Sequence, residues 1–273
     1  MQIDGKTQLY GIVGKPVSHS LSPAMQNAAF QHCGLNKVYL AFEVDDMTMA
    51  MAGLRSLGVA GVSVTMPHKQ TVIPLLDTID PIAEKIGAVN TLLIKDGNVH
   101  GHNTDWIGAV QALEMIVDLH SATVLVLGAG GSARAIGFGL KEKGVKVTVA
   151  NRTLSKGQAL ARDLDCECYP LTEINHLKVD ALVNTTSVGM APNLDATPVP
   201  KALLENIPAV MDIIYVPSET RLLREAREVG CKTVNGLYML LYQGVAQFEI
   251  WTGCNAPVDV MRDVLFSRFE TSS

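Results

Sequence analysis

Short runs of continuous apolar residues alternate with longer mixed segments along the whole chain, a rhythm that predicts an α/β protein. The pattern is sharpest at Val124-Leu125-Val126-Leu127, which is too short for a helix and apolar at every position, as a strand buried on both faces must be. A helix is expected from there to Gly144, a residue suited to a left-handed stop, and Val145 to Val149 reads as the next strand. Further strands fall at about 166–169, 179–184, 209–214 and 231–234, so that six strands alternate with helices in a doubly wound count.

Upstream, residues 8–13 form a first strand, and Ser22 followed by Pro23 is expected to cap a helix that runs to about Cys33 and stops at Gly34. Val38 to Val44 reads as a strand, and Asp45 or Asp46 opens a helix ending before Gly58. In Gly61–Met66, Val62, Val64 and Met66 alternate with Ser63 and Thr65, giving one apolar face and one face with two hydroxyls. Pro67 ends that strand and leaves Lys69 in the first turn of the next segment, where a helix dipole would oppose its charge. Asp80 to Ile86 makes a helix closed by Gly87, and Asp96-Gly97 signals a two-residue hairpin turn. Thr104 or Asp105 caps a helix over Trp106 to Val117. After Gly236 the pattern is helical through Met239 and Gln243, with a last helix beyond Pro257. Residues 1–104 thus make one α/β unit, and a second begins near residue 124.

Composition narrows the class. With 273 residues the chain is long enough for one large or two ordinary domains, and its composition, 48% apolar, is that of a globular protein. A net charge of −5 argues against a nucleic-acid partner, which demands a basic surface. The longest apolar stretch, Gly236 to Trp251, is interrupted by Gln243, Gln247 and Glu249, so no bilayer span is expected. Five cysteines, an odd number without C-x-x-C spacing, read as reduced thiols, and Met1 to Lys6 lacks the apolar core of a secretory leader; cytoplasm is the expected compartment. No metal is expected, because His100 and His102 lack further ligands at sensible spacing.

Candidate chemistry sits in the loops. Gly128-Ala129-Gly130-Gly131-Ser132-Ala133 fits the G-x-G-x-x-G/A pattern at 128, 130 and 133, between a strand and a helix as that motif requires. Gly128 serves the tight turn, Gly130 the approach of a pyrophosphate to backbone, and Ala133 the close packing of helix on strand. At the tip of the next strand stand Asn151-Arg152-Thr153, with Lys156 one turn on, where an NAD site usually carries a carboxylate. A cation and neutral polar groups suit a 2′-phosphate, so NADP is expected over NAD; solvated surface cations are the alternative. Ser18 and Ser20, on an extended loop, point the same way and suit a polyol or carboxylate, or else bond local backbone. Lys69 beside a hydroxyl-lined strand is either a functional or a surface lysine. Asn184 to Gly189 and Asp212 to Tyr215 end the fourth and fifth strands of the second unit, at the crevice where such folds bind ligands.

Taken together, Val17 to Pro23, Ser63 to Lys69, Gly87 to Thr91, Asn103-Thr104-Asp105, Gly128 to Gly131, Asn151-Arg152-Thr153 and the Met239…Gln243 helix resemble the shikimate dehydrogenase family over the whole chain. The resemblance implies an N-terminal α/β substrate domain (1–104 with 238–273) and a doubly wound Rossmann-type NADP-binding domain (105–237). It implies NADPH-dependent reduction of 3-dehydroshikimate to shikimate, on the route to chorismate and the aromatic amino acids. By motif, Lys69 and Asp105 are the catalytic pair, and Ser18, Ser20, Ser63, Thr65, Asn90, Tyr215 and Gln243 hold the substrate. Gly128, Ala129, Gly130, Gly131, Ser132, Ala133, Asn151, Arg152, Thr153, Lys156, Thr186, Ile213 and Gly236 hold NADP. Three positions depart from the commonest pattern: Ser63 replaces an Asn, Lys156 an Arg with its bidentate fork, and Tyr238 a Gly. Two other readings stay open, a quinate/shikimate dehydrogenase of the same family working with NAD, and a non-catalytic NADP-sensing module, which would have no need of a Lys69/Asp105 pair. Assembly is not legible where interface and core look alike; a homodimer is the form to test for.

Overall fold

The expected alternation folds into two sheets, each in its own unit. The computed structural model describes residues 3–270; residues 1–2 and 271–273, which the expected domain spans include, lie outside it. The chain divides into Met1–Thr104 with Gln243–Ser273, and Asp105–Tyr242.

In the first unit the elements run β1 (Gln8–Gly14), α1 (Ser22–His32), β2 (Lys37–Glu43), α2 (Met47–Ser56), β3 (Gly61–Val64), β4 (Thr78–Ile79), α3 (Pro81–Ile86), β5 (Thr91–Lys95) and β6 (Asn98–His102). They form one sheet in the order β2-β1-β3-β5-β6-β4, in which β5 runs antiparallel to both its neighbours. The Asp96-Gly97 turn accounts for the pairing with β6. Both residues take positive φ (52° and 79°), the geometry of a two-residue hairpin, and Ile94 is set opposite Val99. One sheet face packs Val13, Val62, Val64 and Leu92 under Met47, Met51 and Leu54 of α2. Tyr10, of opposite parity to Val13, stacks with Phe30 and Trp251 at centroid distances of 5.2 and 5.6 Å. Each such fully buried side chain contributes roughly 1.5–3 kcal/mol.

Three local expectations are corrected. Ser22 does not cap α1: it is the first residue of the helix, with Leu21 in the cap position and no side-chain cap. No α-helix follows Pro67. Residues 66–72 form successive turns, begun by the His68 N–H bond to Thr65 O at 2.9 Å, and a single 3₁₀ turn comes next at Ile73–Leu75. Met66 is 74% exposed rather than part of the apolar face, since pairing of β3 with β1 ends at Val64.

The second unit runs α4 (Asp105–Glu114), β7 (Thr123–Leu127), α5 (Gly131–Glu142), β8 (Lys146–Asn151), α6 (Leu154–Leu164), β9 (Glu167–Pro170), β10 (Ala181–Asn184), α7 (Lys201–Leu204), β11 (Ala209–Asp212), α8 (Arg221–Glu228) and β12 (Lys232–Val234). Its sheet is parallel throughout, in the order β12-β11-β10-β7-β8-β9, so the strand order reverses at β7/β10, where dinucleotide folds bind their ligands. The unbroken apolar run of β7 is now explained. Val124 and Val126 face the core shared with α4 and α5, while Leu125 and Leu127 face the core that holds Leu222 and Leu223 of α8. Helix α9 (Gly236–Thr252) begins in this unit and ends in the first, and α10 (Val258–Glu270) completes the first.

Candidate active site

Because β1 and β3 are parallel neighbours, the loops leaving their carboxyl ends lie side by side. Lys15 N–H donates to Met66 O and Thr65 N–H to Val13 O, both at 2.9 Å. The β1 loop is a turn and not the extended segment expected: Ser20 N–H closes onto Val17 O at 3.1 Å. Ser18 is exposed, and Ser20 is half-buried with its Oγ accepting from Ser22 N–H at 3.3 Å, so one of the two hydroxyls has a local duty. On the β3 loop Thr65 and Lys69 are half-buried. The Lys69 carbonyl accepts from Val89 N–H at 2.8 Å and Val64 N–H donates to Asn90 O at 2.8 Å, pinning this loop to the start of β5.

Beneath these loops lies a buried polar network. Asn90 is 2% exposed; its Oδ1 accepts from Thr104 N–H and from the Thr91 hydroxyl, both at 2.7 Å, and its Nδ2 donates to Thr104 Oγ1 at 3.0 Å. Ser63 Oγ accepts from the Tyr39 hydroxyl at 2.6 Å and donates to Gln247 Oε1 at 2.8 Å. Burial pushes the Tyr39 phenol far above the usual tyrosine range, which keeps it a neutral donor. Gln243 is buried one turn before Gln247 on α9. Asp105, half-buried, directly follows Thr104 as the first residue of α4, an end of the helix that favours a carboxylate.

In the second unit the glycine turn has the shape its residues predict. Gly128 has φ of +114°, and a Cβ there would lie 2.5 Å from Thr185 Oγ1. Gly130 and Gly131, by contrast, would hold a Cβ in open space with nothing within 4 Å. Gly130 caps α5 with no side-chain bond to its first N–H groups; Ala129 and Ser132 are half-buried, and Ala133 is fully buried against the strand core. At the end of β8, Asn151 Nδ2 donates to Thr153 O at 2.8 Å. Thr153 opens α6 without using its side chain as a cap, and Arg152 and Lys156 are exposed and form no ion pair among the described residues. An open backbone cradle at one helix start, and two cations with a hydroxyl at the next, fit a dinucleotide carrying a 2′-phosphate.

The ends of β10 and β11 are joined by Asp212, which is wholly buried. Its Oδ1 accepts from Asn184 Nδ2 and Ile214 N–H, both at 3.1 Å, and its Oδ2 from the Thr220 hydroxyl at 2.7 Å. Asn184 Oδ1 in turn accepts from Thr186 N–H and Oγ1 at 3.0 and 2.7 Å, and Asn184 O from Ile213 N–H at 3.1 Å. Gly236 packs so closely on this loop that a Cβ would sit 1.9 Å from Ile213 O. Tyr215 is half-buried, and burial raises its phenol pKa. A cavity of about 600 Å³ lies elsewhere in this unit, lined by Glu114, Asp118, His120, Lys143 and Lys232 among others, and no predicted site residue lines it.

Comparison with known proteins places these motifs. Residues 12–92 match a model described as the shikimate dehydrogenase substrate binding domain, residues 110–215 one described as shikimate / quinate 5-dehydrogenase, and residues 236–266 the shikimate 5′-dehydrogenase C-terminal domain. A shikimate dehydrogenase (NADP(+)) of Methanothermobacter thermautotrophicus is 46% identical over 275 residues, covering 96% of this chain and 97% of that one. This chain belongs to the shikimate dehydrogenase family. Among solved members, shikimate dehydrogenase from Aquifex aeolicus superimposes with a TM-score of 0.90 at 42% identity, covering 97% of this chain and 99% of its own. Shikimate 5-dehydrogenase from Thermus thermophilus, solved in complex with NADP(H) and shikimate, superimposes with a TM-score of 0.89 at 37% identity, covering 95% and 99%.

Within this family member, Thr65, Lys69 and Asn90 are gathered at the ends of β1, β3 and β5, and the glycine, Arg152 and Thr186 segments at the carboxyl ends of the second sheet. Four groups escaped sequence reasoning: Tyr39, Thr91, Asp212 as a network centre, and Gln247. Gln247 was legible only as a break in an apolar stretch, although an amide among core residues is itself a signal that partners await it.

Proposed function

We propose that this chain reduces 3-dehydroshikimate to shikimate with NADPH, reversibly, on the route to chorismate and the aromatic amino acids. Residues 1–104 with 238–273 take the substrate and residues 105–237 take NADP. The observation that carries this reading is the convergence of hydroxyls, amides and an ammonium-bearing loop at the carboxyl ends of β1 and β3, with Lys69 pinned through its carbonyl to Val89, next to Asn90. Hydroxyls and amides suit a polyol carboxylate, and a lysine among them suits proton transfer.

When bound, NADPH supplies the hydride. Lys69 Nζ gives its proton to the ketone oxygen during reduction and takes one from the alcohol in the reverse direction. Asp105 orients that ammonium and accepts from the neighbouring substrate hydroxyl. Ser18, Ser20, Thr65, Asn90, Tyr215 and Gln243 hold the remaining hydroxyls and the carboxylate. Gly128 to Ala133 present backbone N–H groups to the pyrophosphate, and Asn151, Arg152, Thr153 and Lys156 meet the 2′-phosphate. Ile213 and Gly236 would border the nicotinamide, and Thr186 would help to hold the cofactor.

Among the described residues no helix is long and apolar enough to cross a membrane. The proposed compartment is the cytoplasm, with which five unpaired cysteines are compatible. A homodimer is the assembly to test for, and light scattering reads the mass. Initial rates with shikimate and quinate, each with NADP⁺ and NAD⁺, test the assignment. Fastest turnover with shikimate and NADP⁺ supports it; fastest turnover with quinate and NAD⁺ replaces it by the sister activity, and no turnover in any pairing by a sensor.

A further inference from the structure

Gln247 is 1% exposed and belongs to no motif that the family resemblance carries, yet it stands at the centre of the first unit's polar network. Its Oε1 accepts from Ser63 Oγ at 2.8 Å; its Nε2 donates to Thr91 Oγ1 at 3.0 Å and to Asn90 O at 3.3 Å. A leucine or methionine would fill the same helical position at no polar cost, whereas a buried amide is penalised unless every group is matched. Donor and acceptor roles run in one direction. The Tyr39 hydroxyl donates to Ser63, Ser63 to Gln247, Gln247 to Thr91, and Thr91 to Asn90 Oδ1 at 2.7 Å. A serine has one proton to give, and that of Ser63 goes to Gln247. Asn90 Oδ1 ends the relay by accepting from Thr104 N–H at 2.7 Å, and the next residue is Asp105.

We infer that Gln247 is a positioning residue: from α9 it fixes Asn90 and Thr91, and through them the Thr104 peptide that presents Asp105. Ser63 acts in this relay as a node between Tyr39 and Gln247. The inference rests on the reading of Asp105 as half of the catalytic pair, and it assigns Gln247 no contact with substrate.

The test compares wild type, Gln247→Met, Asp105→Asn and the double variant in shikimate-dependent NADP⁺ reduction. Gln247→Met should lower kcat about tenfold, within the span of couplings between side chains that share one hydrogen-bond network. Added to Asp105→Asn it should lower kcat by no more than about twofold further, because both changes remove the same aligned carboxylate. Losses that multiply, or a normal kcat in Gln247→Met, overturn the inference. Far-ultraviolet circular dichroism and thermal melting, measured separately, check that each variant is folded. If Gln247→Met fails that check, Thr91→Val removes the same relay at constant volume and must show the same non-additivity. Amide hydrogen exchange at Thr104 gives a readout free of turnover: it should speed up in Gln247→Met, and unchanged protection sinks the relay. A wild type inactive with shikimate overturns the functional reading, while exchange at Thr104 still judges the relay.

Discussion

Gly130→Ala separates a glycine kept for a ligand from one kept for the fold. Gly130 has φ of −86° and ψ of −172°, ordinary extended backbone that alanine adopts without strain. An added methyl group meets nothing within 4 Å. Folding stability should therefore change by less than about 0.5 kcal/mol, and the smaller entropy of the unfolded chain favours the variant slightly. In a unit of this size that is a shift of about 2 °C or less in Tm without ligand. The open space is where a pyrophosphate would approach the backbone, so the methyl should weaken NADP⁺ binding about tenfold to a hundredfold, which is about 1.4–2.8 kcal/mol. Thermal melting of the ligand-free protein and calorimetric titration with NADP⁺ give the two numbers independently. A normal Kd would refute the cradle, and a Tm lowered by many degrees would show that Gly130 is required by the fold. Gly128 is the contrast: with φ of +114° and Thr185 Oγ1 at 2.5 Å, alanine there should damage the fold itself.

Two further outcomes are expected. Burial pushes the Asp212 carboxyl up to about 6 against three hydrogen bonds that favour its charge, whereas its ordinary value is 3.8. The folded state then holds the proton more tightly than the unfolded chain, so stability falls by roughly 2–3 kcal/mol as pH rises from about 4 to about 6 and levels off above. Asp212→Asn should flatten that segment of the wild-type curve in urea titrations, and an undiminished slope assigns it to other groups. Replacing Arg152 and Lys156 together by alanine should weaken NADP⁺ by about 2 kcal/mol or more while leaving NAD⁺ within about twofold, since only the 2′-phosphate loses partners. Equal loss for both cofactors would place those cations elsewhere on the dinucleotide.

Much of the fold was legible because its causes are local. The four apolar residues of β7 demand burial on both faces, and Asp96-Gly97 admits one tight turn; neither depends on distant chain. Misreadings arise where a distant partner outbids a local rule. Ser22 has the chemistry of a cap, yet it lies inside the first turn of the helix, and the Ser20 hydroxyl takes the bond to Ser22 N–H. Pro67 favours a helix start at Lys69, but the loop is drawn into turns by bonds back to Thr65 and across to Val89. The site was legible as motifs and illegible as a network. Ser63 and Gln247 stand 184 residues apart, and no periodicity relates them.

The central claim is that Lys69 handles the proton while the hydride moves, and turnover of Lys69→Met beside wild type tests it most directly. With shikimate and NADP⁺, the wild type should form NADPH. The variant should be slower by about 10²–10⁴-fold, the share that a positioned acid or base contributes, with the shikimate Kd changed by less than about tenfold. A Lys69→Met enzyme turning over near the wild-type rate would contradict the account.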